Sequence, residues 1–317
     1  MIKFFIDYRI SWLIGLPLII LTYSLVNTYT SYHFLESDLS FGLFPFKIGK
    51  DFFVIKIITP LVIYLNATLI SQIFNHHNFI EKNTYTSPLF YLILMSFFDG
   101  FYSLNSFVLS HTFFILSLSQ YFKINPSKES NKLIFNSSFF FSIGACLSPS
   151  FICFFPFVFF MILVSRPFLI REMAISFLGL IVPLFYVYTS QYFKGKTSLS
   201  IDLFPPLIPP KNPYIIFFLT LTIFFLLFFS RLSITSRIKK PTVKLRLQFK
   251  ILAYWFFIGI VSITVCFILK KGFLDLSFII IPTVFVLTYG FFHKNKARTY
   301  HILFYLLFFF SFIKFFV

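Results

Sequence analysis

The hydrophobic positions of this chain fall into blocks that short polar stretches punctuate. Cutting at the punctuation gives apolar segments at approximately 10–27, 52–74, 85–98, 107–122, 133–147, 150–165, 173–193, 214–230, 251–269, 276–292 and 299–317. A membrane-spanning helix needs ~20 apolar residues, so the blocks read as spans, although the third to sixth are short for one. The fifth and sixth read equally as one hairpin broken around Ser148-Pro149-Ser150. The fold expected is an all-α, polytopic transmembrane helical bundle of about eleven spans.

Composition agrees with this class. Hydrophobic residues make up 58% of the chain and charged ones 12%, and the mean hydropathy is +0.88. Soluble domains carry about a quarter charged residues. The 55 phenylalanines read as a coding bias that puts Phe in place of Leu on lipid-facing surfaces. A net charge of +17 would suggest nucleic acid in a soluble protein. Here the basic residues sit mainly in loops between apolar blocks, so anionic lipid is the expected partner and nucleic acid is not. Cys146, Cys153 and Cys266 lie in or at the ends of apolar blocks without CxxC spacing, which supports neither a disulfide framework nor a structural zinc site. Lys3 and Arg9 precede the first block as in a signal peptide. No small-x-small cleavage site follows, so an uncleaved first helix is expected.

Charge then orients the chain. The stretch 231–250 (RLSITSRIKKPTVKLRLQFK) holds Arg231, Arg237, Lys239, Lys240, Lys244, Arg246 and Lys250 and no acid. Short basic loops are retained on the cytoplasmic side. With the N-terminus cytoplasmic and the C-terminus periplasmic, Arg9, Arg166, Arg171, Arg231, Arg237, Arg246 and Arg298 all fall inside. Most lysines do too, whereas Glu36, Asp38, Asp51, Asp99, Asp202 and Asp275 fall outside. A multi-pass membrane location is expected. Within the basic stretch, Val243 to Phe249 alternates apolar and polar residues as an extended segment would. Helix continuing from Lys244 into Ile251 is an equal reading. Arg237, Lys239, Lys240 and Lys244 are the candidate contacts for anionic lipid or an acidic partner.

Two external loops are long enough to hold structure. The first, 28–51, mixes aromatics, acids and lysines and fits an interfacial amphipathic helix. The second, 194–213, carries Pro205, Pro206, Pro209, Pro210 and Pro213 and favours a stiff extended conformation. This divides the chain into 1–195, a Pro-rich external loop 196–213, and C-terminal helices 214–317.

The candidate chemistry lies in the external acids. Glu36 and Asp38, two residues apart, can share a divalent cation, or one can act as general base while the other orients it. Asp99 opens the next external loop and can join them. The plainer reading is that all three are solvated loop acids. His33 lies close to this pair in sequence. His111 sits within an apolar block, where an ionisable group is functional by default; the plainer reading is a hydrogen bond to Ser106 or Ser110. Lys56 is expected to snorkel to the external interface. His76-His77 resembles a metal pair but has no third ligand beside it. No Walker loop, GxGxxG, HExxH or GxSxG is present, and the scarcity of charge inside the blocks argues against an ion-coupled transporter.

An uncleaved first helix, an acid-bearing external loop and paired short helices resemble the N-terminal module of GT-C glycosyltransferases. Residues 138–160 (SFFFSIGACLSPSFICFFPFVFF) also look like that family's helix pair broken at a proline-containing turn. The resemblance covers about residues 1–195. It implies transfer of a sugar from a polyprenyl-phosphate carrier at the periplasmic face, with Asp38 as base or metal ligand and Glu36 and Asp99 supporting it. Lys47, Lys50, Lys194 and Lys196 are then the lipid-phosphate contacts. There is no external arginine to grip a pyrophosphate and no large external C-terminal domain. The whole chain is also similar to Phe- and Leu-rich multi-spanning inner-membrane proteins, which favours a second reading, a non-catalytic subunit of a larger envelope assembly for secretion, motility or cell-wall construction.

Overall fold

The structure, a computed structural model, describes residues 9–29, 40–47, 52–80, 83–98, 101–102, 104, 106–124, 130–165, 169–194, 221–224, 227, 243–268, 276–292 and 297–315. Ten α-helices lie among the described residues. They are α1 (Arg9–Tyr29), α2 (Phe52–His76), α3 (Thr86–Met95), α4 (Ser106–Lys123), α5 (Asn131–Leu147), α6 (Phe155–Ser165), α7 (Ile170–Phe193), α8 (Val243–Ile268), α9 (Ile280–Phe291) and α10 (Ala297–Ile313). Each matches one of the apolar blocks. Of the block at 214–230, only residues 221–224 and 227 are described.

One element departs from an all-helical chain. Strands β1 (Ser40–Phe41) and β2 (Phe44–Lys47) form an antiparallel hairpin, where an interfacial helix was expected. Gly42 takes a φ of 59° at its turn, a conformation that glycine adopts without steric penalty. The break between the fifth and sixth blocks falls where the sequence suggested. Ser148 is extended at φ −124°, ψ 91°, and a 3-10 turn, Pro149–Phe154, leads into α6.

Side-chain pairings fix the helix directions. The Ser117 hydroxyl donates to the Ser137 carbonyl at 2.8 Å, and Phe114 lies against Gly144, so α4 and α5 are antiparallel. Ser138 and Ser176 share a hydrogen bond at 2.7 Å. One turn later on both helices, Ser142 donates to the Leu180 carbonyl at 2.6 Å, so α5 and α7 run parallel. Asn66 donates to the Val108 carbonyl at 3.2 Å, and His77 meets the Phe122 ring at 5.4 Å, so α2 and α4 are parallel. In the other half, Phe90 meets Phe304 at 5.3 Å near the middles of α3 and α10, and Lys314 just beyond α10 meets Ser96 just beyond α3. Phe249 of α8 meets Tyr289 near the end of α9 at 4.9 Å. The result is an up-and-down bundle whose odd helices through α7, with α8 and α10, point one way.

Two of these helices, as Ile57–His76 and Ile170–Phe193, are long and apolar enough to cross a membrane, each with mean hydropathy 1.7. Ile14–Tyr29, Thr86–Met95, Pro149–Ser165, Ile280–Phe291 and Thr299–Ile313 are shorter apolar stretches. Phenylalanine is not confined to the outside, contrary to the lipid-facing reading. Trp255 stacks on Phe278 at 5.1 Å. Phe278 is also met by Phe114 at 5.1 Å and Phe151 at 4.6 Å, in a buried aromatic nest. Offset and edge-on ring contacts strengthen such burial beyond its area.

Candidate functional site

The hairpin defines one end of the bundle. Leu43, at its turn, is buried. Its amide donates to the Cys146 carbonyl at 2.8 Å, and its carbonyl accepts from the Gln191 side chain. Cys146 lies in the last turn of α5 and Gln191 in the last turn of α7, so the hairpin sits over those two parallel helices. Lys194 caps α7, its amide donating to the Gln191 carbonyl at 3.0 Å, and its side chain is exposed. Lys47 closes β2, paired in register with Ser40.

Among the sequence candidates, then, Lys194 and the backbone of Lys47 come to the same end of the same helix pair. Glu36, Asp38, Asp99, Lys50 and Lys196 lie outside the described residues, as does the side chain of Lys47. The flanks of Asp99 are held elsewhere, at the ends of α1, α3 and α10. Phe101 meets Tyr23 of α1 edge-on at 5.7 Å. Tyr102 donates to the Ser96 carbonyl at 2.8 Å. Lys314, one residue beyond α10, donates to the Tyr102 hydroxyl at 2.7 Å and to the Ser96 carbonyl. The hairpin and the α3–α4 turn therefore share an end of the bundle but rest on different helices.

The opposite end gathers cations. Arg9, Lys123, Lys132, Arg171, Lys244, Arg246, Lys250 and Arg298 all lie in or beside the helix turns at this end. Lys244 occupies the first turn of α8, so the alternating stretch 243–249 is helical and not extended. Arg237, Lys239 and Lys240 lie outside the described residues. His77, 6% exposed, accepts through Nδ1 from the Gln248 amide at 3.1 Å, which connects the end of α2 to α8. Burial, then Lys244, His76 and Lys123, pushes its pKa down to about 4, because each disfavours a second positive charge there. No group of three or more metal-ligating side chains occurs among the described residues.

His111 is fully buried. Its Nδ1 faces the Tyr91 hydroxyl at 3.3 Å, while Ser110 donates to the Phe107 carbonyl of its own helix. The expected serine partner is thus replaced, at Ser110, by a tyrosine from α3. Sequence reasoning missed the Lys314 cluster and the His77–Gln248 bond. Their partners lie 218 and 171 residues apart, and no local pattern marks such pairs. No family model, curated protein or solved structure matches this chain.

Proposed function

We propose that this chain is a multi-spanning protein of the bacterial inner membrane, its N-terminus cytoplasmic, its C-terminus periplasmic, crossing about eleven times. One observation carries the reading: Arg9, Lys123, Lys132, Arg171, Lys244, Arg246, Lys250 and Arg298 lie at one end of an up-and-down bundle, against Lys56, Lys194 and Lys314 at the other, and the positive-inside rule supports the richer end as cytoplasmic. Outward-facing residues support it. Ile14, Leu18, Leu21 and Leu25 on α1 and Phe177, Ile181 and Phe185 on α7 are exposed, forming apolar stripes that lipid would cover. The block at 214–230 supplies the return crossing that parallel α7 and α8 require. Cysteine labelling tests this directly. With a membrane-impermeant maleimide on intact spheroplasts, Lys194→Cys is labelled and Lys244→Cys only after lysis. The reverse pattern overturns the orientation.

At the periplasmic end, the activity we infer is GT-C-like glycosyl transfer from a polyprenyl-phosphate carrier. Asp38 acts as general base or divalent-cation ligand, Glu36 and Asp99 support it, and Lys47, Lys50, Lys194 and Lys196 hold the phosphate. The shared seat of Lys194 and the hairpin supports the phosphate contacts. Lysines hold phosphate as point charges, without the bidentate fork of arginine. Proteoliposomes given a polyprenyl-phosphate sugar test this: Asp38→Asn abolishes transfer, while Lys194→Gln raises KM for the carrier.

A second reading, a non-catalytic subunit of an envelope assembly, draws on a shallow apolar groove on α10 lined by Ile302, Tyr305, Leu306, Phe308, Phe309 and Phe312, a surface suited to a partner helix. Native mass spectrometry of the gently extracted protein separates the two: a bound polyprenyl phosphate supports the first, a stoichiometric partner the second.

A further inference from the structure

Lys314 differs from the other lysines at helix ends. Lys194 and Lys244 are exposed, but Lys314 is 4% exposed at the hairpin end of the bundle. Its ammonium is enclosed by rings, with centroids of Phe315 at 4.7 Å, Tyr102 at 4.8 Å, Phe97 at 5.2 Å and Tyr23 at 5.9 Å. Among the described residues, the Ser96 carbonyl and the Tyr102 hydroxyl accept from it. The rings come from three places: α1, the α3–α4 turn and the chain just beyond α10. Tyr23 is itself held, stacked on Phe312 at 4.7 Å and hydrogen-bonded to Ser311.

This chemistry is selective. Ring faces attract any cation, and the attraction grows as water is excluded. Oxygen acceptors add a demand for N–H donors, which a lysine ammonium has and a quaternary ammonium lacks. The box suits a compact primary ammonium on an alkyl stem. We propose that Tyr23, Phe97, Tyr102 and Phe315, with the Ser96 carbonyl, form a primary-ammonium site. Lys314 is its tethered occupant, and this occupancy latches the C-terminal helix to α1 and to the turn after α3.

Two measurements test the latch. In the detergent-solubilised native protein, an amine-acylating reagent modifies Lys314 roughly tenfold or more slowly than Lys194, because its nitrogen is enclosed and its N–H groups are held by acceptors. Equal rates overturn the proposal, with no variant required. In Lys314→Ala, hydrogen exchange at Phe98, Phe101 and Phe315 rises about tenfold. n-Propylammonium, the fragment that the substitution deletes, restores protection, whereas tetramethylammonium does not. Unchanged exchange in Lys314→Ala overturns the latch. Equal rescue by both cations, or by neither, overturns the primary-ammonium site.

Discussion

Gly144 of α5 lies face to face with the Phe114 ring of α4: a Cβ built on it would meet the ring at 2.6 Å. That contact sets how closely the two antiparallel helices approach. Ring and backbone are both enclosed, since Phe114 belongs to the nest around Phe278, so neither can retreat far.

Gly144→Val is therefore expected to destabilise the bundle by about 2–4 kcal/mol, more than ordinary overpacking, because its branched side chain must displace a ring packed on several sides. Thermal unfolding in mild detergent measures this. Pairing Gly144→Ala with Phe114→Leu should recover part of the loss of the single Ala variant. Additive losses would show that the contact is not the cause.

Gly42 makes a similar argument for the hairpin. Its φ is 59°, and a Cβ there would meet the Leu147 carbonyl oxygen at 2.1 Å. Gly42→Ala should lift the hairpin off α5 and α7 with little effect on the helices. Faster exchange of the Leu43 amide with an unchanged melting temperature is the expected signature. Retained protection at Leu43 would show that the turn accommodates a side chain.

Across α5 and α7, the Ser138–Ser176 bond links parallel helices. A double-mutant cycle to alanine should give a coupling of roughly 0.6–1.5 kcal/mol, the range for hydrogen bonds between helices in a membrane. A value indistinguishable from zero would assign the close approach of these helices to Gly179, which packs against Phe135 and Ser138.

The burial of His77 beside Lys244, His76 and Lys123 makes stability depend on pH. The folded pKa of His77 lies at about 4, below its ordinary 6.5, so between these values the unfolded chain binds more protons. Stability from this group is fully present above about pH 6.5 and falls as pH drops toward 4. The loss is on the order of 3 kcal/mol once pH is below both values. His77→Asn should flatten the melting temperature across that window. A profile unchanged by the substitution would place the sensitive group elsewhere.

What the sequence decided by itself is the set of helices and their basic end. An apolar block of spanning length, placed in lipid, satisfies its backbone bonds internally only as a helix or in a closed barrel. The described helices match the blocks at 10–27, 52–74 and onward within a few residues, except that α8 begins at Val243, eight residues ahead of its block, and the block at 150–165 opens with a 3-10 turn; Arg171, Lys244 and Arg298 lie at the same end of the bundle. The hairpin was not legible, because its stability comes from Gly42 meeting the end of α5 and from Leu43 bonding Cys146 and Gln191, partners 103 and 148 residues away. The same holds for the burial of Phe114, Phe151 and Phe278, of one type with the exposed Phe185, and for Tyr91 as the partner of His111. Only the tertiary structure decided those. In a chain apolar on nearly every helix face, no polar stripe records which side turns inward, and packing alone selects it.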